Sequence, residues 1–81
     1  MSQEQTIQLP FLKQGEKAVV TALAGGCGFE RRLRSMGIKE GKVICLDAKH
    51  HFFGPLVVDV DDRQITIGRG MAAKITVRRE Q

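Results

Sequence analysis

At 81 residues the chain has length for one small domain and none for a second. Hydrophobic residues make up 42% and charged residues 27%, a balance that folds and is too apolar for disorder. The thin core expected at this size excludes enzymes that need a deep pocket, and a doubly wound nucleotide-binding sheet as well. Thirteen Lys and Arg against nine Asp and Glu leave a net charge of +4, with acids spread along the chain, so charge alone does not demand nucleic acid. The start MSQEQTIQLP lacks the basic and apolar regions of a signal peptide, and no apolar run approaches the roughly 18 residues of a membrane span. Two cysteines make no disulfide framework. The expectation is a cytoplasmic protein without direct membrane insertion, in which Cys27 and Cys45 are reduced and buried.

In chain order, residues 1–8 are polar and read as a flexible N-terminal segment, followed by a single domain over 9–78 and a tail at 79–81. Leu9-Pro10-Phe11-Leu12 supplies an apolar plug in one helical turn, and Lys13 to Glu16 turns into a strand over Lys17–Ala24. Gly25, Gly26 and Gly28 form a glycine-rich loop around Cys27. The spacing predicts a helix over Phe29–Met36, with Phe29, Leu33 and Met36 on one apolar stripe and Arg31, Arg32 and Arg34 away from it. Its end reads as a Schellman motif, Gly37 in the left-handed position and Leu33 paired with Ile38; Glu30 in the first turn and Arg34 in the last complement the helix dipole.

Gly41 turns the chain into a strand over Lys42–Ala48, and Lys49 to Gly54 is a loop or strand extension. Leu56, Val58 and Val60 alternate inward; Asp61-Asp62 closes a hairpin to a strand with Ile65 and Ile67 inward. Gly68 to Ala73 makes one helical turn, and Lys74–Arg78 closes with Ile75 and Val77 inward. The fold class is mainly β: a small barrel of about five strands with one short α-helix and additional helical turns, closed so that no strand edge is exposed.

Most chemical motifs fail on spacing. Gly37-x-x-x-Gly41-Lys42-Val43 is one spacer short of a phosphate loop and lacks the Ser/Thr that holds magnesium. Gly68-x-Gly70-x-x-Ala73 matches the dinucleotide fingerprint, but only eight residues follow it, too few for a crossover helix and second strand. His50 and His51 are adjacent and point apart in an extended segment; with Cys27 they are the weak metal candidates, and no spacing supports Fe²⁺ or another divalent cofactor. No nucleophile–base or paired-acid arrangement is visible, so the expectation is no catalytic residue and no enzyme. Two surface features remain as partner-binding candidates. Arg31, Arg32 and Arg34 form a basic helix face, otherwise a solvated amphipathic surface. Phe52 and Phe53, adjacent in a loop, cannot both enter one core easily, and otherwise form a lid over the barrel's open end.

The order of these pieces carries a family resemblance. The plug and Gly-Glu turn (Leu9 to Glu16), the Gly25–Gly28 loop, Arg31-Arg32-Leu33-x-x-Met36-Gly37-Ile38-x-x-Gly41, Gly54-Pro55-Leu56 and the Ile67 to Ile75 segment together resemble the FeoA family, small accessory proteins of bacterial ferrous-iron uptake. The resemblance implies an SH3-like barrel. It also implies a partner, the FeoB-type membrane permease with a cytosolic GTPase domain, whose GTPase or transport activity it would modulate by binding. FeoA-like domains also end metal-dependent transcriptional repressors, so regulation in trans is an alternative, as is a small basic nucleic-acid-binding barrel; sparse aromatics weigh against the latter, and no nucleic acid is expected.

Overall fold

The computed structural model describes residues 6–49 and 54–79. Six strands form one antiparallel sheet: β1 (Thr6–Gln8), β2 (Lys17–Leu23), β3 (Val43–Lys49), β4 (Leu56–Val60), β5 (Arg63–Ile67) and β6 (Ile75–Arg79), in the order β1-β6-β2-β3-β4-β5. Helix α1 (Gly26–Ser35) joins β2 to β3, the short helix α2 (Arg69–Ala72) joins β5 to β6, and a 3₁₀ turn (Leu9–Phe11) follows β1.

The strands form because their apolar residues alternate. Leu56, Val58 and Val60 are buried while Val57 and Asp59 are half-exposed, and Ile75 and Val77 repeat the pattern on β6. Asp61 and Asp62 close β4 onto β5 with φ of 53° and 65°, the paired left-handed geometry whose twist matches a two-residue hairpin. β2 carries an irregularity between Val20 and Ala22, where the Thr21 hydroxyl donates to the Thr76 carbonyl at 3.2 Å.

The core is one cluster. Leu9 and Leu12 from the 3₁₀ segment, Leu33 from α1 and Ile38 beyond it meet Ile44, Leu46, Leu56 and Ile75 with no solvent exposure. This is the expected small, mainly β architecture, with three differences from the sequence reading. The sheet has six strands instead of five, because Thr6–Gln8, expected within the flexible leader, pairs with Arg78–Thr76 of β6. A segment with Ile7 as its one apolar residue has no strand signal of its own; its partner strand decides its conformation. Likewise β6 extends through Arg79, the first residue of the expected tail.

Second, the sheet is not closed by hydrogen bonds: β1 and β5 are its edges. The interior is instead covered by the 3₁₀ turn, which packs on β6 and α2, and by the buried face of α1. Third, α1 starts at Gly26, so the expected Gly25–Gly28 loop is largely helix. Gly26 enters at φ +84°, and the apolar stripe centred on Leu33 propagates the helix backward through residues with little helical preference of their own.

Candidate partner interface

The position of α1 is set from its C-terminal end. The Ile38 N–H donates to the Leu33 carbonyl at 2.9 Å and the Gly37 N–H to the Arg34 carbonyl at 3.0 Å, with Gly37 at φ +91°. These are the two bonds of a Schellman motif, and Leu33 and Ile38 form its buried apolar pair. Arg63 of β5 adds an outside contact, its Nη2 donating to the Met36 carbonyl at 3.2 Å. The turn that follows is tied down as well: Gly41 N–H donates to the Val20 carbonyl at 2.8 Å, and Lys42 Nζ meets Asp61 Oδ2 at 2.7 Å. That bond holds the Asp61 carboxyl below its ordinary pKa.

The other end is bare. Gly25, the N-cap, makes no side-chain hydrogen bond, and no acid occupies the first turn. Glu30, expected there, lies further along and pairs with Arg34 at 3.7 Å. Phe29 is half-buried against the core, close over Gly25, with Lys74 Nζ 5.6 Å from its ring centre. Cys27, expected to be buried, is exposed, since it lies on the far side of the helix from Leu33; Cys45 is half-buried.

The three arginines of α1 are all exposed, but they are not equivalent. Arg34 Nη2 contacts Glu30 Oε1 and, at 3.4 Å, Glu40 Oε1. Glu40 is held below its ordinary pKa by a backbone hydrogen bond first and by Arg34 second. Arg31 and Arg32 have no ion-pair partner among the described residues, so the free positive charge of the helix is theirs.

A second surface, across the outward face of β3 and β4, has the opposite sign. Its shallow groove is lined by Lys17, Val43, Cys45, Asp59, Asp61 and Asp62. Asp59 is held above its ordinary pKa by a hydrogen bond with the Asp47 carboxyl, then by desolvation and by the charges of Asp47 and Asp62. Asp47 also accepts from Gln64 Nε2 at 3.2 Å. Among the described residues no group of three or more His, Cys, Asp or Glu side chains converges on a metal position. Cys27 therefore has no ligating neighbours there, and His50 and His51 lie outside the described residues, as do Phe52 and Phe53. No described helix is long and apolar enough to cross a membrane.

The exposed aromatic that the structure does show is Phe11, 65% exposed in the 3₁₀ turn. Side chains three apart eclipse in this helix type, so burying Leu9 and Leu12 together turns Phe11 outward. The Leu-x-x-Leu spacing was the available signal for it.

The fold is shared with known proteins. The FeoA domain family profile matches residues 7–79, nearly the whole chain. The chain belongs to the FeoA family. A protein of Methanocaldococcus jannaschii named "Putative Fe(2+) transport protein A" is 39% identical over 69 residues, covering 85% of this chain and 82% of that protein. The crystal structure of an iron uptake regulatory protein (FeoA) superposes with a TM-score of 0.88 at 29% identity, covering 94% of this chain and all of that one. A manganese-dependent transcriptional repressor has the same fold, with a TM-score of 0.86 at 21% identity; the match takes in 99% of this chain and 45% of the repressor. The FeoA-like, SH3-like fold expected from the sequence is thus the fold observed, with a sheet that is barrel-like but open.

Proposed function

We propose that this FeoA-family chain is a cytosolic accessory protein of ferrous-iron uptake that binds the cytosolic face of a FeoB-type GTPase permease and modulates its activity. The reading is carried by family membership over residues 7–79. It is supported by the way the molecule spends its residues. Among the described residues the core is apolar, and helix α1 is fastened at its C-terminal end and turns two arginines that have no ion-pair partner toward solvent. Fe²⁺ is the cargo of the partner and needs no site on this chain. The α1 face, with Phe52 and Phe53 as a second contact, is the proposed docking surface.

The experiment is affinity capture with the tagged chain from membranes of iron-limited source cells. Recovery of a GTPase-containing permease, with a measurable effect of the pure chain on its GTP hydrolysis, is expected. Capture of nucleic acid alone would overturn the proposal.

A further inference from the structure

We infer that the solvent-facing stripe of α1 formed by Gly28, Arg31, Arg32 and Ser35 docks an acidic segment of a partner protein, with Gly28 kept small so that the segment can approach the helix closely. The inference rests on the proposed docking role of α1 and names the chemistry of its partner.

These residues stand at i, i+3, i+4 and i+7, so they line one face of the helix, and all are exposed. Its two ends are small. Ser35 Oγ donates to the Arg32 carbonyl at 2.7 Å, so its hydroxyl is folded back on the helix. A Cβ at Gly28 would meet no atom within 4 Å, and its backbone is not left-handed. Neither packing nor conformation asks for glycine there, and a helix is more stable with alanine. Gly25 and Gly37 differ in this respect: Phe29 crowds the first, and the second carries the left-handed turn.

Charge decides the occupant. Arg31 and Arg32 are free, about 100° apart around the helix axis, and so bracket the stripe from its two sides. Each guanidinium offers a planar fork suited to a carboxylate. A lipid surface or a nucleic acid fits poorly. Polybasic membrane sites use roughly four to eight cations, whereas α1 itself presents two without an ion-pair partner among the described residues, and Glu30 and Glu40 border the helix on the Arg34 side. Phosphate-dense partners would be repelled at that border, while a protein segment can place a few acids over the arginines and none beside the glutamates.

The test has two arms. In the first, the isotope-labelled chain is titrated with a glutamate-rich helical peptide, with phosphatidylglycerol vesicles and with duplex DNA. Amide shifts confined to the Gly28–Ser35 stripe with the peptide, and weaker responses to vesicles and DNA, are expected. Shifts centred elsewhere, a stronger response to either phosphate probe, or no response to the peptide would overturn the inference. In the second, the permease's cytosolic domain is titrated with wild type, Gly28→Ala, Gly28→Met, the Arg31→Glu/Arg32→Glu pair and Arg34→Gln. The arginine pair and Gly28→Met should weaken binding at least tenfold and Gly28→Ala severalfold, while the glycine variants melt at or above the wild-type temperature and Arg34→Gln stays within twofold. A domain that binds wild type and every variant alike overturns the stripe but leaves permease docking standing. A domain that binds nothing, while the peptide maps to the stripe, removes the permease reading and supports the stripe.

Discussion

At its C-terminal end α1 is fastened by backbone, guanidinium and ion-pair contacts together: the Schellman bonds through Gly37 and Ile38, Arg63 on the Met36 carbonyl, and Lys42 on Asp61 of the hairpin turn. At its N-terminal end it has an uncapped glycine, no acid in the first turn, and the packing of Phe29 over Gly25. Arg34 is engaged inside the molecule by Glu30 and Glu40, whereas Arg31 and Arg32, elsewhere around the helix, are left to solvent. A small domain that must present charge at a fixed angle can anchor a helix at one end and leave the remainder available. Anchoring and availability are then properties of different sides of the same helix.

The sharpest way to break this contrast is at Leu33, the core residue from which the C-terminal anchor hangs. Leu33→Ala empties a site with no solvent exposure and should cost about 2–5 kcal/mol, a large part of the stability of a domain this small. Urea denaturation measures it; a loss below about 1 kcal/mol would mean that α1 is not anchored through the core. Gly25→Ala comes next. Its new methyl group would collide with the Phe29 side chain, and overpacking of this kind costs about 1–3 kcal/mol.

Gly37→Ala forces alanine into a left-handed conformation at φ +91° and presses on the Arg63 guanidinium, for about 1–2 kcal/mol. Thermal melts of these two variants together sharpen the comparison. Both destabilised means that each end is fixed, one by packing and one by backbone geometry; an unchanged Gly37→Ala would remove the anchor.

The smallest expected effect comes with acid. Asp61 and Glu40 both have folded pKa values below their ordinary ones. Their contacts therefore contribute fully above the ordinary carboxylate range and are lost as pH falls through the depressed folded values. Below about pH 4, amide protection at Gly37, Ile38 and Gly41 should fall relative to the first turn of α1, and Asp61→Asn should show part of that loss already at neutral pH. A uniform change along the helix would contradict a C-terminal clasp.

What was legible in the sequence were features decided over a few residues. The Leu33–Gly37–Ile38 spacing announced its cap, and the alternation in Leu56–Val60 and Ile75–Val77 announced buried faces. What was hidden depended on distant partners. β1 is a strand because β6 lies beside it, the sheet's open edges belong to the whole topology, and Gly26 to Gly28 are helical because Leu33 is buried. The candidate surface followed the same division. Exposure of all three arginines could be read from the helical period. The Glu30–Arg34 pair follows from the same period, but the second partner, Glu40, could not be read, because it reaches Arg34 only after the chain has reversed at Gly37.

The strand order carries a consequence for how the molecule comes together. β6 follows every other strand in the chain, yet it lies between β1 and β2, which come first. Until Ile75–Arg79 arrives, β1 has no neighbour and the β2 edge that faces it is unpaired. Hairpins such as β4–β5 close locally and early, but sheet completion waits for a contact spanning most of the sequence, the kind of long loop closure that slows folding. The domain is thus assembled by its C-terminal strand, which acts as a keystone: shortening the chain before Ile75 would cost two strand pairings at once.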